Sequence, residues 1–445
     1  MKIFDLLFSC LIIFSHTILA QDKSYEAPGN NNPVIPGFFA DPSFVAMDGK
    51  YYIYATTVSK FMEPVVWVSD DMVTWDVHHL GIAGEHFFWA PSVLKGKNGK
   101  YYLYHTSGFD FKCHLYIGET PTGPWEKFGF VEEGFDLQIY EDPATGKVYG
   151  LSSDPQSRPR IVEFESNPND PGYLTKVIHE ASPKGPFFDY TEGSFIVYRD
   201  GWYYLMYSGG KCGDVTYNIR YARSRDIYGP YTDAPGYAIL EQAPGKNIYG
   251  TGHHSVFMLN DAYYIVYHRQ DKYNAPTCSE RMVCIDKMEF DADGYIKKVT
   301  PTNAGIDFSE ITGAEKPVNL ALGKETTSSG NAKGFEPGFA VDGNFSTRWM
   351  HGNSGSFSVD LGGVFNVERI VPYFLYYDYF NLYRIKTSLD NQNWDLYFDQ
   401  SKIARKGAAP VLPKKAKARY VKVEFVRGPS AASLCEFEVY GTPTQ

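Results

Sequence analysis

Cysteine is scarce in this 445-residue chain: there are 6, and Cys10 lies within the first twenty residues. The other five, Cys113, Cys212, Cys278, Cys284 and Cys435, show no paired spacing of the zinc-site kind. That excludes a full disulfide framework and a cysteine metal cluster, and leaves mostly buried thiols with room for one bridge. Basic charge is also thin, since 42 Lys and Arg against 52 Asp and Glu give a net charge of −10. Phosphate recognition leans on clustered Lys and Arg, so nucleic acid is excluded as a partner and a neutral ligand fits better. Long apolar runs are missing too. The longest, Leu6 to Phe14, is too short to span a membrane, and no other segment comes closer.

The first twenty residues read as a signal peptide. Lys2 precedes the apolar run, and Ser15 to Ala20 follow it, with cleavage expected near Ala20. The mature chain is therefore expected in the periplasm or outside the cell. Leu7-Phe8-Ser9-Cys10 offers the alternative of lipid anchoring through Cys10.

What the sequence has in quantity is aromatic residues, 16% of the total with 35 Tyr and 31 Phe. Many fall in a repeat. Asp48-Gly49-Lys50-Tyr51-Tyr52 recurs as Asn98-Gly99-Lys100-Tyr101-Tyr102, Thr145-Gly146-Lys147-Val148-Tyr149, Asp200-Gly201-Trp202-Tyr203-Tyr204 and Asn260-Asp261-Ala262-Tyr263-Tyr264. A turn dipeptide between apolar runs, repeated at about fifty residues, is the signature of a hairpin in a four-stranded propeller blade. Five copies predict five blades. Eight to ten residues before each turn stand Asp41, Ala90 beside Trp89, Asp136, Glu192 and His253. If the runs between are the innermost strands, these residues occupy equivalent places and meet in a central pit.

The pattern stops after Tyr295. Residues 297–319 carry Pro301, Gly305, Gly313 and Pro317 with little periodicity, as a linker or a strap would. From Asn319 onward short strands with new turn punctuation predict a β-sandwich. The expected organisation is a signal peptide over 1–20, a propeller over 30–305, a linker over 306–318 and a sandwich over 319–445, an all-β chain throughout.

Both halves carry resemblances. Asn32 to Ser43, Trp89-Ala90-Pro91-Ser92, Thr191-Glu192-Gly193 and Gly250 to Ser255 together resemble the five-bladed propeller of family 43 glycoside hydrolases, over about 30–305. The second half resembles the discoidin or coagulation-factor type C fold, a jelly roll shared with family 32 carbohydrate-binding modules.

Glycosidic cleavage needs one carboxylic acid to protonate the leaving oxygen and one carboxylate to activate water or attack. The first resemblance implies Asp41 as general base, Glu192 as general acid and Asp136 as the residue that raises the acid's pKa, with Asp142 and Asp110 as alternatives for that last role. Two nearby carboxylates do not readily ionise together, so Glu192 is expected to keep its proton while Asp41 stays charged. It further implies substrate contacts from Phe38, Trp89, His253 and Arg281, with Arg269 as an alternative to Arg281. His253 sits where relatives hold a cation or its water. The second resemblance implies a structural calcium on Asp342, Thr347 and Glu436, oxygen ligands suited to that ion. No cofactor is expected for the chemistry itself. Tyr376, Tyr377, Tyr379 and Phe380 suit a glycan grip or strand core equally.

The expected function is an exported, inverting, exo-acting hydrolase of terminal α-L-arabinofuranosyl or β-D-xylosyl residues, with plant cell-wall polysaccharide or its oligosaccharides as partner. The alternatives are an exo-galactosidase of the same family and a non-catalytic glycan-binding protein. A mechanism retaining configuration, as in five-bladed relatives acting on fructose polymers, would call for an Arg-Asp-Pro triplet in the third blade, absent here. The sandwich is expected to fold independently and to take no part in cleavage.

Overall fold

The computed structural model describes residues 24–57, 64–82, 87–271, 278, 280–375, 381–402, 412–427 and 432–444. The signal peptide, Cys10 and the cluster Tyr376, Tyr377, Tyr379 and Phe380 lie outside the described residues.

Five antiparallel sheets follow one another along the chain. The first holds β1 (Ala40–Met47), β2 (Lys50–Thr56), β3 (Val65–Ser69) and β4 (Asp76–His79). The second holds β5 (Phe88–Lys95), β6 (Tyr101–Ser107), β7 (Lys112–Gly118) and β8 (Trp125–Glu132). The third holds β9 (Phe135–Glu141), β10 (Val148–Ser153), β11 (Pro159–Phe164) and β12 (Val177–Ala181). Three strands make the fourth, β13 (Tyr190–Arg199), β14 (Trp202–Gly209) and β15 (Asn218–Ser224), and three the fifth, β16 (Tyr249–Leu259), β17 (Ala262–Gln270) and β18 (Met282–Met288). In the fourth blade, residues 233–240 run beside β15 through the bridges Arg223–Asp233 and Ile219–Leu240. In the fifth, the N-terminal segment lies along β18, with Val34 N donating to Val283 O at 2.9 Å and Ile285 N to Asn32 Oδ1 at 2.8 Å.

The repeated turns behave as their residues dictate. Asp48-Gly49 (φ 53° and 74°), Asp200-Gly201 (51° and 74°) and Asn260-Asp261 (49° and 61°) are left-handed at both central positions, as a type I′ hairpin turn requires. The second strands are buried on both faces. Tyr54, Tyr104, Tyr204 and Tyr267 are wholly enclosed between neighbouring blades, which explains the aromatic excess. An apolar cluster fills each interval between blades, including the last, where Phe257 and Tyr264 of the fifth meet Phe39, Phe44 and Ile53 of the first. The ring is closed.

After the fifth blade, Asp307 caps the short helix α1 (Phe308–Thr312) by accepting from Ser309 N, and Phe308 packs on Phe257 and Tyr264. The segment is a strap. The sandwich follows with β19 (Glu325–Ser328), β20 (Trp349–His351), β21 (Gly355–Tyr373), β22 (Leu382–Ser388), β23 (Asp395–Asp399), β24 (Leu412–Arg427), β25 (Ala432–Leu434) and β26 (Glu436–Pro443). Its main sheet runs β19-β21-β24-β22-β23 with β26 on β21, and β20 pairs β25. Trp349, Phe357, Tyr383, Phe425 and Phe437 form its core.

The two units share a second core beside the sandwich's own. Val371, Tyr373, Leu375 and Cys435 belong to the same apolar cluster as the first and fifth blades, with Trp67 and Tyr373 rings 6.3 Å apart. Polar ties surround it: Arg369 to Asp76 (2.7 Å), Arg269 Nη2 to Ser346 Oγ (3.2 Å) and Gly29 N to Asp342 O (3.0 Å).

Candidate active site

Each innermost strand breaks register at an equivalent place, and β13 and β16 break once more just before it. The breaks fall between Ala40 and Ser43, Trp89 and Ser92, Phe135 and Gln138, Glu192 and Phe195, and Gly252 and Ser255. In every case the first residue of the bulge is left-handed: Asp41 (φ 49°), Ala90 (41°), Asp136 (56°), Gly193 (65°) and His253 (39°). A bulge re-aims its side chain, and left-handed non-glycine residues cost energy that recurs at working sites. This confirms the equivalence of four predicted positions and corrects the fifth. In the fourth blade the bulge residue is Gly193, so Glu192 stands one residue ahead of its expected place.

A second ring supports the first. The bulge amides of Ala90, Asp136 and His253 donate to Thr56, Thr106 and Ser208 Oγ of the preceding blade at 2.7, 2.6 and 2.9 Å, and Asp41 N donates to His268 Nδ1 at 3.1 Å. These acceptors escaped the sequence reading. Their signal was the same repeat, since Thr56, Thr106, Ser153, Ser208 and His268 each lie five residues after the first residue of the aromatic pair. Ser153 instead pairs with Tyr190 OH at 2.8 Å.

Asp41, Asp136, Glu192 and His253 come together. His253 Nδ1 lies 3.3 Å from Asp41 Oδ1 and 3.8 Å from Asp136 Oδ2. One ligand atom from each of Asp136, Glu192 and His253 falls within 4.8 Å of the others, so these three could hold a cation between them.

Asp41 Oδ2 accepts from Thr56 Oγ1 at 2.6 Å, and Oδ1 accepts from Arg281 Nη1 at 2.7 Å. Burial pushes the Asp41 carboxyl up, but the Arg281 guanidinium, then His253, outweigh it and hold the group well below the usual range. His268 Nδ1 also approaches Oδ1, at 3.2 Å. Because the backbone amide of Asp41 always carries a proton and points at that nitrogen, Nδ1 is the acceptor and His268 is neutral. Burial, with Arg281 beside it, takes His268 down to about 3, in keeping with that tautomer. Arg281 is thus the cation that keeps Asp41 ionised.

Across the pit the balance is opposite. Burial first, then the charges of Glu192 and Asp41, raise Asp136 well above the usual range. The sequence placed the retained proton on Glu192. Burial and the neighbouring charges instead favour the proton on Asp136, the more enclosed of the two. Tyr217, also unforeseen, donates to Glu192 Oε1 at 2.7 Å and stacks on His268 at 5.5 Å. Its place is reserved by Gly252, where a Cβ would lie 2.0 Å from the Tyr217 ring.

Trp89 stands half-buried between Phe87 (5.7 Å) and Phe111 (5.6 Å), forming an aromatic rim with Phe111 60% exposed. Phe38 lines a groove with Gln270, Asp271 and Arg348, whose guanidinium lies 5.8 Å from the Phe38 ring, so it faces the sandwich as well as the propeller. Arg281 is bound at Nη1 by Asp41 and at Nε by Cys278 O. Arg269 is wholly buried at the junction on Thr302 O, Asn32 O and Ser346 Oγ, which removes it as a sugar contact. The alternatives to Asp136 are elsewhere: Asp142 ties a hairpin turn to Tyr203, and Asp110 pairs with His114.

In the sandwich, Thr347 Oγ1 lies 3.0 and 2.8 Å from the Asp342 oxygens, and Glu436 Oε1 accepts from the amides of Asp342, Gly343 and Asn344. Glu436 is fully buried, no donor group reaches its Oε2, and its carboxyl lies within hydrogen-bond reach of the Asp342 carboxyl. Burial pushes Asp342 up to about 6, and burial with the Asp342 charge raises Glu436 far above its usual range. An orphaned carboxylate oxygen beside a second carboxylate and a hydroxyl is a donor set that fits a hard divalent cation.

Residues 30–296 match the family described as glycosyl hydrolases family 43, and residues 324–437 match the F5/8 type C domain. The chain belongs to glycosyl hydrolase family 43. Among curated relatives of this family 43 chain, a β-D-galactofuranosidase named xynD from Aspergillus niger is 31% identical over 322 residues, covering 65% of this chain and 90% of the relative. A xylosidase/arabinosidase 43B from Humicola insolens is 28% identical over 239 residues, covering 48% of this chain and 43% of its own, and a β-xylosidase from Bacillus subtilis is 30% identical over 267 residues, covering 53% and 49%. The chain spans about half the length of these last two. A solved structure titled glycoside hydrolase shares the fold over 94% of this chain and 100% of its own, with TM-score 0.78 at 23% identity. The family 43 chain is thus a glycoside hydrolase with an F5/8 type C domain behind it.

Proposed function

We propose that the chain is an exported, inverting, exo-acting furanosidase that removes terminal α-L-arabinofuranosyl or β-D-galactofuranosyl residues from polysaccharides and their fragments, plant cell-wall material included. The carrying observation is the division of charge in the pit. Asp41 is held ionised, as a base that activates water must be, while the Asp136–Glu192 corner keeps a proton for the leaving oxygen. Glu192, hydrogen-bonded to Tyr217, is the acid, and Asp136 is its modulator. The Trp89 rim supports stacking on a sugar face.

The α-L-arabinofuranosyl and β-D-galactofuranosyl rings have the same configuration and differ outside the ring, so one pit accommodates either. The galactofuranosidase name of the relative covered over 90% of its own length and the arabinofuranohydrolase name of another support this pair, and the β-xylosidase names among the other relatives make the xyloside the comparison to run. The Cys212–Cys278 disulfide supports export, since such bonds persist in oxidising compartments. Asp342, Thr347 and Glu436 would hold a calcium that neutralises the carboxylate pair and stiffens the sandwich.

Aryl β-D-galactofuranoside, α-L-arabinofuranoside and β-D-xyloside decide the matter. Either furanoside should be cleaved at least about tenfold faster than the xyloside, with inverted first product by proton NMR and about 10³-fold loss in Asp41→Asn. A preferred xyloside sinks the furanose reading, and a retained product sinks the water-activating role of Asp41.

A further inference from the structure

A cavity of about 280 Å³ lies where the propeller, the strap and the sandwich meet, and a smaller one of about 70 Å³ adjoins it, with Trp75, Phe345, Glu438 and Tyr440 lining both. None of Asp41, Asp136, Glu192 and His253 lines either. The strand ladder of the first blade accounts for the separation. Ala40, at the Asp41 end of β1, pairs with Thr56, whereas Ser69, at the end of β3, pairs with Tyr51 and through it with Ala46. The turn from β3 to β4, which carries Trp75, is therefore at the opposite end of the blade from Asp41. A molecule in this cavity is not the one being cleaved.

The walls are preformed. Asp71 Oδ1 accepts from the amides of Val73 and Thr74 at 2.8 Å each, and Thr312 Oγ1 of the strap lies 3.2 Å from Asp71 O, so the loop that carries Trp75 is fixed. Trp75 is only 7% exposed, and its Nε1 finds no acceptor among the described residues. Arg369, which lines the smaller cavity, is likewise unpaired at Nε. Buried donors nearly all find partners, so two unpaired N–H groups at one junction call for acceptors from outside the chain. On the sandwich side Glu438 Oε2 accepts from Tyr440 OH at 2.7 Å, and on the linker side Lys316 Nζ donates to Asp307 Oδ2 at 2.6 Å.

This lining selects a chemical class. Each cation already faces a carboxylate, Lys316 that of Asp307 and Arg369 those of Asp76 and Glu438, so none is spare for an anion. The rings of Trp75, Phe345 and Tyr440 offer apolar faces, while the carboxylates and N–H donors among them both give and accept hydrogen bonds. A sugar, with its C–H face and its rim of hydroxyls, matches both. The volume is near the lower end of the about 300–1,000 Å³ usual for small-molecule pockets, which suits one ring rather than a chain. We propose that the junction is a second sugar site, in which Trp75, Phe345, Tyr440, Glu438 and Lys316 hold one neutral glycosyl residue, a free monosaccharide or the end of a glycan chain, while the pit acts on another. The site does not depend on which sugar the pit prefers. Because its walls come from both units, its ligand also holds the two together.

The test titrates the full chain with L-arabinose, D-galactose, D-xylose and an arabino-oligosaccharide while the Trp indole N–H resonances are followed by NMR. Asp41→Asn is used with the oligosaccharide to keep it whole, and Trp75 is assigned by the loss of its resonance in Trp75→Phe. We expect a saturable shift of the Trp75 resonance with Kd of about 1–10 mM, and binding about tenfold weaker in Phe345→Leu and in Lys316→Ala. Lys316 is half exposed, so its truncation leaves the fold in place. A response to a monosaccharide identifies free sugar as the ligand, and a response to the oligosaccharide alone identifies a chain end; either supports the site. No shift of Trp75 with any of the four, or a shift that both variants leave unchanged, overturns it. If Trp75→Phe does not fold, the readout is an indole that responds in the parent and fails to respond in Lys316→Ala, and the proposal falls where no indole behaves so.

Discussion

At the scale of single residues, the buried Asp41 and Asp136 and the half-buried Glu192 share one pit and are distinguished by their neighbours. Asp41 faces Arg281, whereas Asp136 faces Glu192 and Asp41, and the sign of each shift follows. A depressed base stays ionised into acid, so the ascending limb of the pH–rate profile should lie below the usual aspartate range. The proton in the Asp136–Glu192 corner is lost only at higher pH, which sets the descending limb. Asp136→Asn removes the charge that opposes ionisation there and should bring the descending limb down by about one unit or more. Glu192→Gln should lose about 10²–10⁴-fold on substrates with poor leaving groups and far less on activated aryl glycosides, because only the former need protonation. Equal losses on both classes would remove Glu192 from the acid's role.

At the scale of the element, the repeat made the bulge positions legible to within one residue. The miss in the fourth blade has a physical cause: the left-handed step falls on Gly193, for which φ of 65° carries no Cβ penalty, and the counted offset pointed to Glu192 beside it. The supporting hydroxyls were equally present in the repeat, but Ser and Thr at a strand end look ordinary until the bulge amides are seen to need acceptors. Asp41 was expected to carry the charge, but which of Asp136 and Glu192 is the more readily protonated was not legible. Which of two neighbouring carboxyls is more buried depends on packing from blades far apart in sequence. The turn joining Asp342 to Thr347 and β26 pose a similar case, where the resemblance implied a cation and the unpaired Glu436 Oε2 is the local feature that suits one. Millimolar calcium at neutral pH should raise the melting temperature by several degrees over a chelated sample, and Glu436→Gln should abolish that difference. Identical melting with calcium and with chelator would mean that the three backbone amides on Glu436 Oε1 suffice.

For the whole molecule, the junction was the part least legible in sequence, because the apolar residues of β21 read as core of their own sheet. Val371, Tyr373 and Leu375 instead finish the cluster begun by Trp67, Phe39 and Phe257, and Ser346 caps a guanidinium, Arg269, that has no exposure to water. Exposing side chains of this size costs about 1.5–3 kcal/mol each, against a total of about 5–15 kcal/mol for a folded domain. Removing residues 319–445 should therefore lower the melting temperature by more than about ten degrees or leave the propeller insoluble, and turnover on a small aryl furanoside should fall with the folded fraction. The alternative, a sandwich that only tethers the enzyme to polymer, predicts unchanged melting and unchanged small-substrate turnover, with loss confined to polysaccharide. Differential scanning fluorimetry on the truncated chain, read beside its kcat, separates the two: a truncated propeller that melts and turns over like the full chain would show that the shared core contributes nothing the catalytic unit needs.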